Sequence, residues 1–231
     1  MNQNFIDPVQ DMSIVQAQQR FLSKVYSWMV GGLLLTAGTA YWVTTNPLIL
    51  EKIMGMMLFL VLGQLGLVIF LSARVQKMSK NTAILSFLGF SFLNGLTLSI
   101  ILLAYTQESI FNTFIIAAIM FASLSVYGFT TKKSLSAVGS FMFMGLIGLI
   151  VASIINWFIA SSALHFAISI IGVVIFAGLT AWDTQKLKQM YEVQFQGDEI
   201  ATKGAIMGAL TLYLDFINLF LFLLRLFGSR R

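Results

Sequence analysis

The stretch LTLYLDFINLFLFLLRLFG, residues 210–228, reads as one continuous apolar helix long enough to cross a bilayer, broken only by Asp215 near its middle. A carboxylate at that depth costs about 2.5–3.5 kcal/mol on insertion scales, so it is kept for a reason and calls for a partner. Thr211, Asp215, Asn218 and Arg225 recur at spacings of four, three and seven and form a polar stripe on a helix otherwise made of Leu, Ile and Phe. A helix of this kind is best housed inside a bundle, with its stripe turned towards other helices.

The rest of the chain has the same character. Of its 231 residues, 58% are hydrophobic and 10% charged, and the mean hydropathy is +0.88, which marks an integral membrane protein. Apolar runs recur at 25–43, 53–71, 83–104, 112–129, 135–159, 164–182 and 205–227. The expectation is therefore an all-α fold of seven transmembrane helices, with a polar N-terminal segment over 1–24 and a single membrane domain over 25–231. The opening segment lacks the short apolar core and small-residue cleavage site of a secretory signal, so the first span is expected to be retained. The chain has no cysteine, which excludes disulfides and thiolate chemistry.

The net charge of +5 is spread over short links and forms no basic patch with interleaved aromatics, so no nucleic-acid partner is expected. It does give orientation. Arg20, Lys24, Arg74, Lys77, Lys80, Lys132, Lys133, Lys186, Lys188 and Lys203 fall on one side, and before the last span only Lys52 falls on the other. The positive-inside rule then puts the N-terminus in the cytoplasm. Seven crossings carry Arg225, Arg230 and Arg231 outside, whereas a re-entrant last segment would return them inside. The length of 205–227 and the absence of Gly or Pro from its middle favour seven.

The natural partner for Asp215 lies in GLTAWDTQKLKQM, residues 178–190, where Asp183 sits at the inner end of the sixth span. Asp215 lies about 15 Å into its own helix, so the two meet only if the sixth helix continues past Lys188 or the bundle dips inward. Two carboxyls in one poorly hydrated site cannot both ionise cheaply and would hold a proton between them, a proton switch. Arg74 is the candidate cation for the ionised form. The ionised oxygens also suit calcium, but two carboxylates are too few for tight storage, so a transient conducting site is expected and no resident cofactor. Glycines inside the spans, Gly31 with Gly32, Gly63 with Gly66, Gly89 with Gly95, Gly145 with Gly148 and Gly204 with Gly208, are expected to let helices approach closely. Asn94 and Asn156 are expected to bond between helices. His165, Glu51 and Glu108 read as helix-end or loop residues, and the twelve methionines as packing.

TAWDTQKLK (180–188) and ALTLYLDFINLFLFLLRLFG (209–228) resemble the signatures of bacterial members of the Bax-inhibitor-like family, the transmembrane Bax inhibitor motif proteins. The resemblance extends to KVYSWMVGGLLLTA (24–37), SARVQKMS (72–79), GLTLSIILLAYT (95–106) and YGFTTKKSLS (127–136). It implies seven helices with the last at the centre, in a protein of the bacterial cytoplasmic membrane. It also implies a pH-sensitive calcium leak and no enzyme activity, with Asp183 and Asp215 as sensor acids and Arg74 as the latch. Where some relatives have an acid within the second span, this chain has Gln64. Alternative readings are a regulator that binds a membrane partner such as a quality-control protease, and a proton-coupled transporter. Intramembrane aspartyl proteolysis is disfavoured because Asp215 follows Tyr-Leu and not Gly-x-Gly.

Overall fold

A computed structural model describes residues 8–75, 77–194 and 198–231. Among these the chain forms eight helices: α1 (Pro8–Thr44), α2 (Pro47–Gly55), α3 (Met57–Arg74), α4 (Lys80–Leu103), α5 (Gln107–Thr130), α6 (Ser136–Ile159), α7 (Ser162–Gln194) and α8 (Asp198–Phe227). Six of them, α3 to α8, are long and apolar enough to cross a membrane, so the protein is an all-helical, multi-pass membrane protein. Residues 1–7 of the polar N-terminal segment lie outside the described residues. From Pro8 the segment is already helical and runs unbroken into the first apolar stretch.

That stretch, 25–43, is not among the six. Ser27, Thr36, Thr39 and several glycines dilute its hydropathy, although α1 packs along α4 and α8. The second expected span, 53–71, is also divided. Pro47 starts a short helix that ends at Gly55, and Met56 leaves helical geometry (φ −104°, ψ 6°) before α3 begins. Helix α7 runs well past its expected end, to Gln194.

Burial orders the helices. In α8, 67% of the apolar window is buried, against 50% in α4, 39% in α7, 11% in α6 and 6% in α3. With α7, α1, α5 and α4 all packed on it, α8 is the most enclosed helix, while α3 and α6 turn rows of Leu, Ile and Phe outward. The helix whose middle carries the acid is thus the one best shielded from lipid.

Only some glycines mediate close contact. A Cβ on Gly95 would come within 2.6 Å of Thr39 Cβ, and one on Gly32 within 2.6 Å of the Phe87 ring, which brings α1 and α4 together. Gly31, Gly63, Gly66 and Gly148, expected to pack in the same way, have open space at the Cβ position. They lie on faces that no neighbouring helix covers.

The two ends of the bundle are distinct. At one end Lys188 Nζ donates to Phe129 O (3.1 Å) and Lys203 Nζ to Met78 O (3.1 Å), joining the basic links. At the other end the chain beyond α8 lies against the α4–α5 turn: Thr106 N–H donates to Ser229 O (3.0 Å) and Arg231 N–H to Ala104 O (3.1 Å). Helix α8 therefore runs from the basic end to the opposite one without turning back.

Candidate functional site

Asp183 and Asp215 are 7% and 4% exposed, and their side chains come within hydrogen-bonding reach of each other. Two carboxyls can bond to each other only when at least one of them carries a proton. Asp215 Oδ2 is buried with no N–H or neutral O–H donor supplied to it.

Local structure explains how they meet. Helix α7 continues 11 residues beyond Asp183, about three turns, so Asp183 stands in a helix interior level with the middle of α8. Its far part is pinned by Gln185, whose Oε1 accepts from Leu135 N–H (2.8 Å) and whose Nε2 donates to Lys133 O (2.9 Å). A Cβ on Gly128 would run into the Ala181 carbonyl, so α5 lies directly against α7 beside the pair. A Cβ on Gly208 would come within 2.8 Å of Leu187 and 3.2 Å of Val25, so α8 lies close to both α7 and α1.

The neighbours of the acids tie the pair to the rest of the bundle. Thr184, next to Asp183, lies 3.4 Å from the Tyr26 hydroxyl. Phe216, next to Asp215, packs edge-on against Phe121 with ring centroids 5.5 Å apart. Tyr26 and Phe121 both line an apolar cavity of about 550 Å³ between α1 and α5, on whose wall Ser125 Oγ is buried without a partner.

Four expected residues stand elsewhere. Arg74 ends α3 with an exposed side chain and has no ion pair to either acid among the described residues. Thr211 and Asn218 are half-buried and bond back to their own helix, to Met207 O (3.1 Å) and Leu214 O (2.8 Å), so neither reaches the acids. Asn156 caps the α6–α7 turn by accepting from Ser161 N–H (3.1 Å) beside Ala160, whose φ of 54° makes the reversal.

Sequence reasoning missed Tyr213. Its fully buried hydroxyl lies 2.6 Å from Thr36 Oγ1 and accepts from Asn94 Nδ2 at 2.7 Å, locking α8 to α1 and α4 two residues before Asp215. A tyrosine in an apolar span reads as packing, and its two partners lie more than 100 residues away in sequence. Gln64, the one polar side chain of 60–70, donates to Leu93 O (2.8 Å) and Thr97 Oγ1 (2.7 Å) and so fastens α3 to α4.

The family profile described as "Inhibitor of apoptosis-promoting Bax1" matches residues 18–231, which takes in every helix above. The chain belongs to this Bax inhibitor family. Among its relatives is the Inner membrane protein YbhL of Escherichia coli (strain K12), 48% identical over 226 residues, 95% of this chain and 97% of that protein. An uncharacterized protein of Borreliella burgdorferi is 46% identical over 98% of this chain and 99% of its own length. One of Deinococcus radiodurans is 45% identical over 91% and 90%. Among the described residues this family member has no cluster of three or more metal-ligating side chains, so the acid pair offers at most two.

Proposed function

We propose that the protein is a proton-sensitive cation leak of the bacterial cytoplasmic membrane, with Asp183 and Asp215 as its sensor and calcium as the ion carried. The observation that carries this is the pair itself: two carboxyls on different helices, buried in the most enclosed part of the bundle and within reach of each other. In this reading α1 is a seventh crossing around a central α8, and the basic links face the cytoplasm. The relative YbhL, an inner membrane protein, supports the inner-membrane location.

With one proton between them the two carboxyls carry a single negative charge, and the shared hydrogen holds α7 to α8. Losing it leaves two charges in contact, which must separate or attract a cation. Arg74 is the chain's own candidate. Helix α3 is the least buried of the spans and packs chiefly on α4, so it is the helix freest to swing its arginine inward. Calcium competes for the same charge, and the cavity between α1 and α5, whose Tyr26 and Phe121 touch the residues beside the two acids, offers the approach. The role is transport and not bond-breaking chemistry.

The test is calcium entry into dye-loaded proteoliposomes from mildly acidic to mildly alkaline pH, for the native chain, Asp183→Asn and Asp215→Asn. A pH-dependent leak that both substitutions flatten supports the reading. Absent flux, or flux indifferent to both, overturns it.

A further inference from the structure

A second constellation lies at the opposite end of the bundle from the basic links and takes no part in the acid pair. A cavity of about 650 Å³ opens between the α6–α7 turn, the end of α8 and the chain beyond it. His165, Arg225, Arg230, Tyr105, Asn156 and Trp157 line it, and no acid does. The Arg225 guanidinium lies over the Phe222 ring at 5.2 Å and that of Arg230 over Tyr105 at 5.9 Å. The two arginines bear electrostatically on each other and on His165, and neither has an ion pair among the described residues. His165 Nε2 is buried and without a hydrogen-bond partner.

Arg225 and Arg230 are exposed and His165 is half-buried, so both guanidinium groups are open to a ligand from solvent, while the buried, unbonded His165 ring nitrogen is costly unless something bonds it. The chain itself has little to offer. Asp215 is ten residues from Arg225 along α8 and Asp183 eighteen from His165 along α7, about 15 and 27 Å away. Glu108 is exposed on the first turn of α5.

The backbone that carries the basic groups is held in place. At Arg230 it pairs with Tyr105, and next to it Ser229 N–H bonds Ser109 Oγ (2.9 Å). His165 is set by the tight turn at Ala160. Two guanidinium forks and an imidazole approaching from separate segments suit an anion with several oxygens pointing in different directions, as a phosphate has. The volume exceeds what bare phosphate needs and falls in the range of small-molecule sites.

We propose that this cavity binds a phosphate ester through Arg225, Arg230 and His165, either the headgroup of an anionic phospholipid or a soluble organic phosphate. Arg225 and Arg230 bond the phosphoryl oxygens in forked pairs, His165 Nε2 donates to a third oxygen, and Asn156 and Tyr105 face the alcohol portion. Trp157 at the rim makes the site observable.

The experiment uses the full chain in detergent micelles and follows tryptophan fluorescence and thermal unfolding. Glycerol 3-phosphate and short-chain phosphatidylglycerol are titrated separately, against sodium chloride at matched ionic strength. A saturable response to either is expected, weakened at least tenfold in Arg225→Gln and in Arg230→Gln and unchanged in Arg231→Gln, whose side chain lines a different cavity. Trp157→Phe should remove the fluorescence response but keep the thermal one. A response to the lipid alone assigns the headgroup, and one to the soluble ester assigns a soluble ligand. If Arg225→Gln fails to fold, Arg230→Gln, beyond the end of α8, decides alone. No response beyond that of chloride, or responses equal in the native chain and the arginine variants, overturns the proposal.

Discussion

The hydroxyl of Tyr213 lies 2.6 Å from that of Thr36, at the point where α8 crosses α1. Thr36 Oγ1 also reaches Ser91 O at 2.8 Å and Gly32 O at 2.9 Å. Its single proton goes to a carbonyl, so Tyr213 donates to Thr36 while accepting from Asn94. Three helices are thereby held in one register, and Asp215 is presented half a turn further along α8.

Tyr213→Phe keeps the ring and its edge-on contacts with Phe87 and Phe90 but leaves Asn94 Nδ2 buried and unbonded. It should cost about 1–3 kcal/mol, seen as a lower unfolding temperature in detergent. Adding Asn94→Leu should recover part of that loss. An unchanged transition in the single variant would mean the network does not hold the helices.

Gly128→Ala drives a methyl into the Ala181 carbonyl, whereas Gly31→Ala meets nothing. The first should destabilise by about 1–3 kcal/mol through overpacking. The second should be neutral or raise stability by up to about 1 kcal/mol through helix propensity. Equal effects in thermal unfolding would contradict the close α5–α7 approach.

Gln185→Leu unbonds Leu135 N–H and Lys133 O together, releasing the α5–α6 link from α7. A loss of about 1–3 kcal/mol is expected. Hydrogen exchange should rise at 130–136 before it rises elsewhere; uniform exchange would place the anchor somewhere else.

Arg74→Gln removes an exposed side chain that carries no ion pair among the described residues, so unfolding should shift by less than about 0.5 kcal/mol. Its effect on calcium flux should nevertheless be measurable, since the proposed latch forms only in another state. A large stability loss would show that the arginine is already engaged in the resting protein.

Asp215→Leu and Asp215→Asn separate the roles of polarity and proton. Asn supplies its own N–H to Asp183 and should retain folding while losing the shared proton. Leu strands the Asp183 carboxyl in the interior and should cost several kcal/mol, about 3 or more, if that carboxyl stays charged. Equal stability of the two variants would mean that the pair is not in contact.

The sequence by itself determined the membrane class, because apolar runs of bilayer length with polar links have no other stable reading, and it singled out Asp215 by the cost of its position. It also marked Asp183 as the partner and stated the condition under which the two could meet. Only the tertiary structure decided that the condition holds, since a helix-favouring segment such as TQKLKQM continues α7 only when Gln185 and Lys188 find the 129–135 link to bond. Tyr213, the grouping of Arg225, Arg230 and His165, and the outward position of Arg74 were likewise invisible along the chain. Each depends on which residues more than a helix apart are brought together, and periodicity within a helix carries no record of that.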